Sequence, residues 1–240
     1  SSLGIYTISY KICTSIQSLI VFPFNTLIYP EYIKKWKNSG KLKTELFINK
    51  TIDIYLLLAI PMIFGLYATR KEIFILFTQQ SYYEGSRYLL PIIIGLLIYG
   101  LYYLTVAGLF IKKKTKMLSF YITISAISNI CLNIILVPIY GVMGAAISTM
   151  ISYTLYFVIA TYNSNQYINI KFNYKNILLY IFYSFIMFYS IYIIDLNINI
   201  IYNLIIKIVI GILVYSLLVF CFHADYRNSI LNFIFNSQNK

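Results

Sequence analysis

Apolar residues fill this chain in long runs, and charged residues gather between the runs. Seven runs are long enough to span ~30 Å of hydrocarbon as helices. They fall at about 4–29, 52–69, 88–111, 117–137, 142–162, 176–194 and 199–222. Lipid offers the backbone no hydrogen-bond partners, so each run is expected to be a helix that satisfies its own amides. The pattern predicts an all-α polytopic membrane protein with about seven transmembrane helices. Residues 129–149 are the most informative stretch. Asn129 and Asn133 sit one helical turn apart at the end of one run, and a tight turn is expected at Pro138 to Gly141. Small residues (Gly141, Gly144, Ala145, Ala146, Ser148) then open the next run, where they let its backbone lie close to a neighbour.

Polar residues inside the runs follow helical spacing. Thr7, Lys11, Thr14, Ser18 and Asn25 recur at intervals of 4, 3, 4 and 7, which places them along one face of the first helix. Lipid cannot satisfy such a face, so it is expected to look onto other helices or a watery cavity. Lys11 either snorkels to the outer surface or stands as a fixed cation suited to an anionic substrate. Ser125, Asn129 and Asn133 repeat at i, i+4 and i+8, and interhelical hydrogen bonding is favoured for them over substrate contact. Asn199, Asn203, Lys207 and Gly211 form a similar face in the last run. Asp195 and Asp53 are the only acids placed near a run, which leaves Lys207 without an evident partner. Asp53 is three residues from Lys50, and a local ion pair is preferred to a coupling-ion site. Pro23 is expected to bend the first helix. Glu31 to Lys50 reads either as a basic amphipathic segment on the membrane surface, anchored by Trp36, or as a solvated loop.

Composition agrees with the pattern. Sixty per cent of residues are apolar and eleven per cent charged, outside the range of soluble domains. The net charge of +12 raises nucleic acid as a partner, but its distribution excludes that reading. Fourteen of the nineteen basic residues lie in alternate connections and the tail, including Lys34 to Lys50, Lys112 to Lys116, Lys171 and Lys175. The connections between them carry Arg70, Lys71 and Arg87, then none. This alternation places the lysine-rich connections and the C-terminus in the cytoplasm and the chain's start outside. A first helix entering from outside is expected of the C-terminal portion of a longer protein. Cys13, Cys131 and Cys221 are far apart within runs and read as small apolar residues. His223, beside Asp225, reads as an interfacial polar tip. No metal or cofactor is expected, and no residue set supports enzymatic chemistry. The tyrosines, spread throughout, read as interfacial belts and packing.

Several pieces together resemble polysaccharide flippases of the O-antigen (Wzx) type, within the MATE-like multidrug/oligosaccharidyl-lipid/polysaccharide exporter superfamily. They are Gly4-Ile5-Tyr6 with Ser9-Tyr10-Lys11-Ile12, Pro30 before a lysine-rich connection, and Pro61, Gly65 and Leu66 before an outer segment with Phe77 and Tyr82. A glycine-bearing run (Gly95, Gly100, Gly108) ending in Lys112-Lys113-Lys114 follows. The last piece is Asn129…Asn133…Pro138-x-Tyr140-Gly141-x-x-Gly144-Ala145-Ala146…Thr149. The resemblance covers the C-terminal half of such proteins. It implies residues 1–162 as helices of the second lobe, and 163–240 as two additional helices with a short cytoplasmic tail. It also implies flipping of undecaprenyl-pyrophosphate-linked O-antigen or other polysaccharide repeat units across the bacterial inner membrane by alternating access. Membrane lipids and other polysaccharide-assembly proteins would be further partners. Lys11, Thr7, Thr14, Ser18 and Asn25 then become candidates for the cavity wall. Arg70 and Arg87 at the outer mouth would guide pyrophosphate or act as ordinary boundary arginines, and the Lys207 face would border a groove for the lipid. Asn129, Asn133, Pro138, Gly141 and Gly144 are structural candidates. A cation-coupled small-molecule antiporter and a membrane-embedded polysaccharide polymerase are the alternatives.

Overall fold

In a computed structural model of the chain, residues 2–194 and 198–223 are described. All seven runs are helical, and the fold is the expected all-α polytopic membrane protein. The helices are α1 (Ser2–Ala68), α2 (Arg70–Phe77), α3 (Leu89–Thr105), α4 (Ala107–Ile111), α5 (Thr115–Tyr140), α6 (Val142–Ser164), α7 (Tyr174–Ile193) and α8 (Ile200–Phe222), with a 3₁₀ stretch at Gln80–Tyr88 before α3. Six helices among the described residues are long and apolar enough to cross a membrane, and the first of these contains two predicted runs.

The connections differ most from expectation. Between the first two runs there is no loop: helix continues through Pro23 and Pro30 and resumes to Pro61, leaving helical geometry only at Gly40 (φ 74°, ψ −174°). That positive φ is open to glycine without steric cost, so the kink falls there. The connection at 70–87 is also ordered, as α2 and the 3₁₀ stretch. The third run breaks at Val106 into α3 and α4. Pro138 belongs to the last turn of α5, and the hairpin turns at Gly141 alone, with φ 56°.

Several hydroxyls inside the apolar helices bond to the preceding turn. Thr26 donates to the Phe22 carbonyl, Thr69 to Gly65, Thr123 to Ser119, and Ser148 and Ser152 to Gly144 and Ser148. This local bonding lets a polar residue sit in hydrocarbon at little cost. The principal core lies where α1, α3 and α6 meet, with Cys13, Tyr55, Leu89, Ile93 and Ala146 nearly inaccessible. The Tyr55 hydroxyl donates to the Leu97 carbonyl at 2.7 Å, tying the second arm of α1 to α3. α5 packs mainly on α6, while α7 lies against α1, and α8 packs on α7 and α2.

Contacts also sort the connections into two ends. Asn49 Nδ2 donates to the Asn169 carbonyl (3.1 Å), and Glu45 accepts from the Asn169 amide (2.8 Å). Lys114 Nζ donates to Tyr167 OH at 2.6 Å, and Lys112 Nζ lies 5.5 Å from the centre of the Trp36 ring. Three lysine-rich connections therefore meet at one end of the bundle. At the other end Ser9 Oγ donates to the Gly85 carbonyl at 3.0 Å, bringing the first turns of α1 to the 3₁₀ stretch.

Candidate functional site

The first-helix stripe keeps its polar face uncovered. Thr7, Lys11 and Ser18 are exposed, and Thr14 and Asn25 are half-buried. Thr14 Oγ1 donates to the Lys11 carbonyl and Ser18 Oγ to the Ser15 carbonyl. Lys11 makes no ion pair among the described residues. The Asn25 side-chain oxygen is buried without a hydrogen-bond partner. A cation and hydroxyls thus line an apolar helix on the side that α3 does not cover.

Beside this face lies a cleft of about 410 Å³, lined from α1, α3, α5 and α6. Five tyrosines line it: Tyr6, Tyr10, Tyr99, Tyr153 and Tyr156. Tyr10 OH and Tyr153 OH are 3.0 Å apart, Tyr6 OH and Thr149 Oγ1 are 3.1 Å apart, and the Tyr99 and Tyr153 rings approach to 4.9 Å. Sequence reasoning dispersed these tyrosines into belts and packing. The signal for the cluster was the helical spacing of Tyr6 with Tyr10, Tyr99 with Tyr103, and Tyr153 with Tyr156.

On α5, Asn133 Nδ2 donates to Asn129 Oδ1 at 3.0 Å, a bond within the helix instead of the interhelical one expected. Ser125 makes the interhelical bond, to the Ser152 carbonyl. At Gly144 a Cβ would overlap the Leu136 carbonyl, so the α5–α6 hairpin packs most closely on a residue without a side chain. Asp53 faces α7, accepting from Asn176 Nδ2 (3.1 Å) and Tyr180 OH (2.9 Å). His223 is buried and stacks on the Tyr180 ring, not exposed as a polar tip. Asp195, Asp225 and the C-terminal tail lie outside the described residues.

Lys207 has a partner that the sequence did not reveal. Its ammonium pairs with Glu72 of α2, and both residues are buried. Glu72 lies between two apolar runs, and α2 folds it against α8. The available signal was its place directly after Arg70-Lys71, at the end of a run. Arg70 stacks 3.9 Å over the Tyr67 ring and donates to the Tyr67 carbonyl. It shares a cavity with Glu72 and Lys207. Arg87 lies in another cleft with Lys71 and Glu84. The predicted substrate residues therefore form the α1 stripe, an Arg70–Lys207 group, and Arg87 apart.

A family model described as Lipid II flippase MurJ matches residues 1–210. The chain belongs to this family. The match agrees with the coarser expectation, a family of lipid-linked saccharide flippases, and names lipid II instead of the O-antigen type. The lipid II flippase MurJ of Thermosipho africanus is 29% identical over 189 residues, covering 74% of this chain and 38% of that protein. The probable low-salt glycan biosynthesis flippase Agl15 of Haloferax volcanii is 26% identical over 180 residues, covering 74% of this chain and 37% of that protein. The solved structure of lipid II flippase MurJ in an inward closed conformation shares the fold, with a TM-score of 0.77 and 24% identity. That match covers 94% of this chain and 48% of the MurJ chain. The chain thus spans well under half the length of the curated relatives it matches. Those relatives are named as flippases, not as enzymes.

Proposed function

We propose that this chain supplies one lobe (1–162) and two additional helices (163–240) of a flippase that moves a lipid-linked saccharide across the cytoplasmic membrane by alternating access. The observation that carries the reading is the uncovered face of α1, where Lys11 stands exposed and, among the described residues, without an ion pair amid Thr7, Thr14 and Ser18. A cation at the edge of an apolar bundle is costly in lipid and useful in a wet cavity. There it would attract the pyrophosphate of a lipid-linked substrate while hydroxyls exchange hydrogen bonds with the sugar. Binding of the anion would neutralise Lys11, easing passage of the polar head through the membrane interior.

The substrate is an undecaprenyl-pyrophosphate-linked O-antigen or other polysaccharide repeat unit, as the motif resemblance implies. The family model favours a second reading, lipid II. A small-molecule antiporter would place a free buried acid in the cavity; Glu72, the buried acid among the described residues, is already paired with Lys207.

The test is complementation with the gene's complete reading frame in two strains, one lacking its O-antigen flippase and one depleted of its lipid II flippase. Rescue of one strain identifies the saccharide. Lys11→Ala is expected to lower export at least tenfold at equal expression, and Lys11→Arg to retain most of it. Wild-type export by Lys11→Ala would remove Lys11 from the mechanism. Failure in both strains, with the protein confirmed in the membrane, would count against the saccharide reading.

A further inference from the structure

The Glu72–Lys207 pair closes one side of a cavity of about 300 Å³ at the end of the bundle away from the lysine-rich connections. Ala68, Arg70, Lys71 and Tyr192 complete its lining, so three basic side chains face one carboxylate. The carboxylate is half used: Oε1 takes the Lys207 ammonium, while Oε2 is buried without a hydrogen-bond partner among the described residues. An ammonium has three donors, and Glu72 Oε1 is the acceptor found for Lys207 among the described residues. Glu72 and Lys207 are 8% and 6% exposed, so spare donors and acceptors here lack bulk water to satisfy them. Arg70 is held by its stack on Tyr67, which leaves guanidinium donors for a ligand.

We infer that this cavity binds the phosphate of a lipid head group that carries a hydrogen-bond donor beside the phosphate. Arg70, Lys71 and the spare donors of Lys207 hold the phosphate oxygens, as basic pockets between membrane helices do. Glu72 Oε2 accepts from the neighbouring ammonium or hydroxyl. A head group with phosphate alone leaves Oε2 unsatisfied, so the site selects for the donor. The lipid can be bulk phospholipid or the lipid-linked saccharide itself. The site therefore goes beyond the flippase reading and stands without it.

The test is native mass spectrometry of the full-length protein in detergent, titrated with short-chain phosphatidylethanolamine or phosphatidylcholine. These head groups carry the same charges and differ in whether the ammonium can donate. Phosphatidylethanolamine is expected to bind at least fivefold more tightly. Arg70→Gln combined with Lys71→Gln, which leaves the buried pair intact, is expected to weaken it tenfold or more without changing the melting temperature. Displacement at lower concentration by an undecaprenyl-pyrophosphate-linked saccharide, whose sugar hydroxyls supply the donor, assigns the site to the lipid-linked saccharide; failure to displace assigns it to phospholipid. Equal affinity for the two phospholipids, or undiminished binding by the double variant, overturns the proposal.

Discussion

At the scale of single residues, the Lys207–Glu72 pair ties α8 to α2. Both charges left water to reach the α2–α8 contact, so each depends on the other for its solvation. Removing one partner leaves an uncompensated buried charge, whereas replacing both with apolar side chains of similar volume removes the desolvation cost as well. Lys207→Met is therefore expected to destabilise the protein by about 3–5 kcal/mol. Lys207→Met with Glu72→Leu is expected to recover most of that loss. Thermal unfolding of the purified protein checks both, and equal loss in the single and double variants would show that packing, not charge, dominates. The sequence exposed half of this pair. Lys207 stood out as a cation deep in an apolar run, but Glu72 sat among charged neighbours, and no periodicity said that α2 would turn it inward.

At the scale of elements, the α5–α6 hairpin shows what small residues do here. Gly144 touches the backbone of α5 so closely that a methyl group would displace the Leu136 carbonyl, while the space around Gly40 is open. Gly144→Ala is expected to cost about 1–3 kcal/mol through overpacking. Gly40→Ala, with φ 74° and ψ −174°, should cost about 1–3 kcal/mol through backbone strain alone. Hydrogen exchange separates them: Gly144→Ala should speed exchange in the α5–α6 pair, Gly40→Ala around the kink. Loss of protection spread evenly over all helices in both variants would contradict this division. The hairpin was legible because Pro138, Gly141 and Gly144 punctuate it, and the apolar runs were legible because lipid forces helix wherever hydrocarbon must be crossed. The segments between runs were not. Polar composition at 30–51 and 70–87 suits a loop, a surface helix or a helical extension equally, and tertiary contacts such as Asn49 with Asn169 and Ser9 with Gly85 select among them.

At the scale of the whole molecule, the contacts sort the connections into two ends, and the charge distribution says which end is which. Glu45, Asn49, Lys112 and Lys114 all reach residues of other lysine-rich connections, so these connections share one side of the membrane. By the positive-inside rule we propose that this side is cytoplasmic, which would put Gln80–Tyr88 and the Arg70–Lys207 cavity outside. Single cysteines test the assignment in a background with Cys13, Cys131 and Cys221 replaced by serine or alanine. Lys41→Cys serves better than a cysteine at position 40, because Gly40 holds a positive φ and Lys41 is exposed in helix. Gln80→Cys is exposed at the opposite end. A membrane-impermeant maleimide added to intact cells is expected to label Gln80→Cys and spare Lys41→Cys until the membrane is broken. The reverse pattern would invert the bundle. Lys11, near the start of α1, would then lie close to the cytoplasmic entrance, and the Arg70–Lys207 cavity would meet lipid before translocation instead of after it.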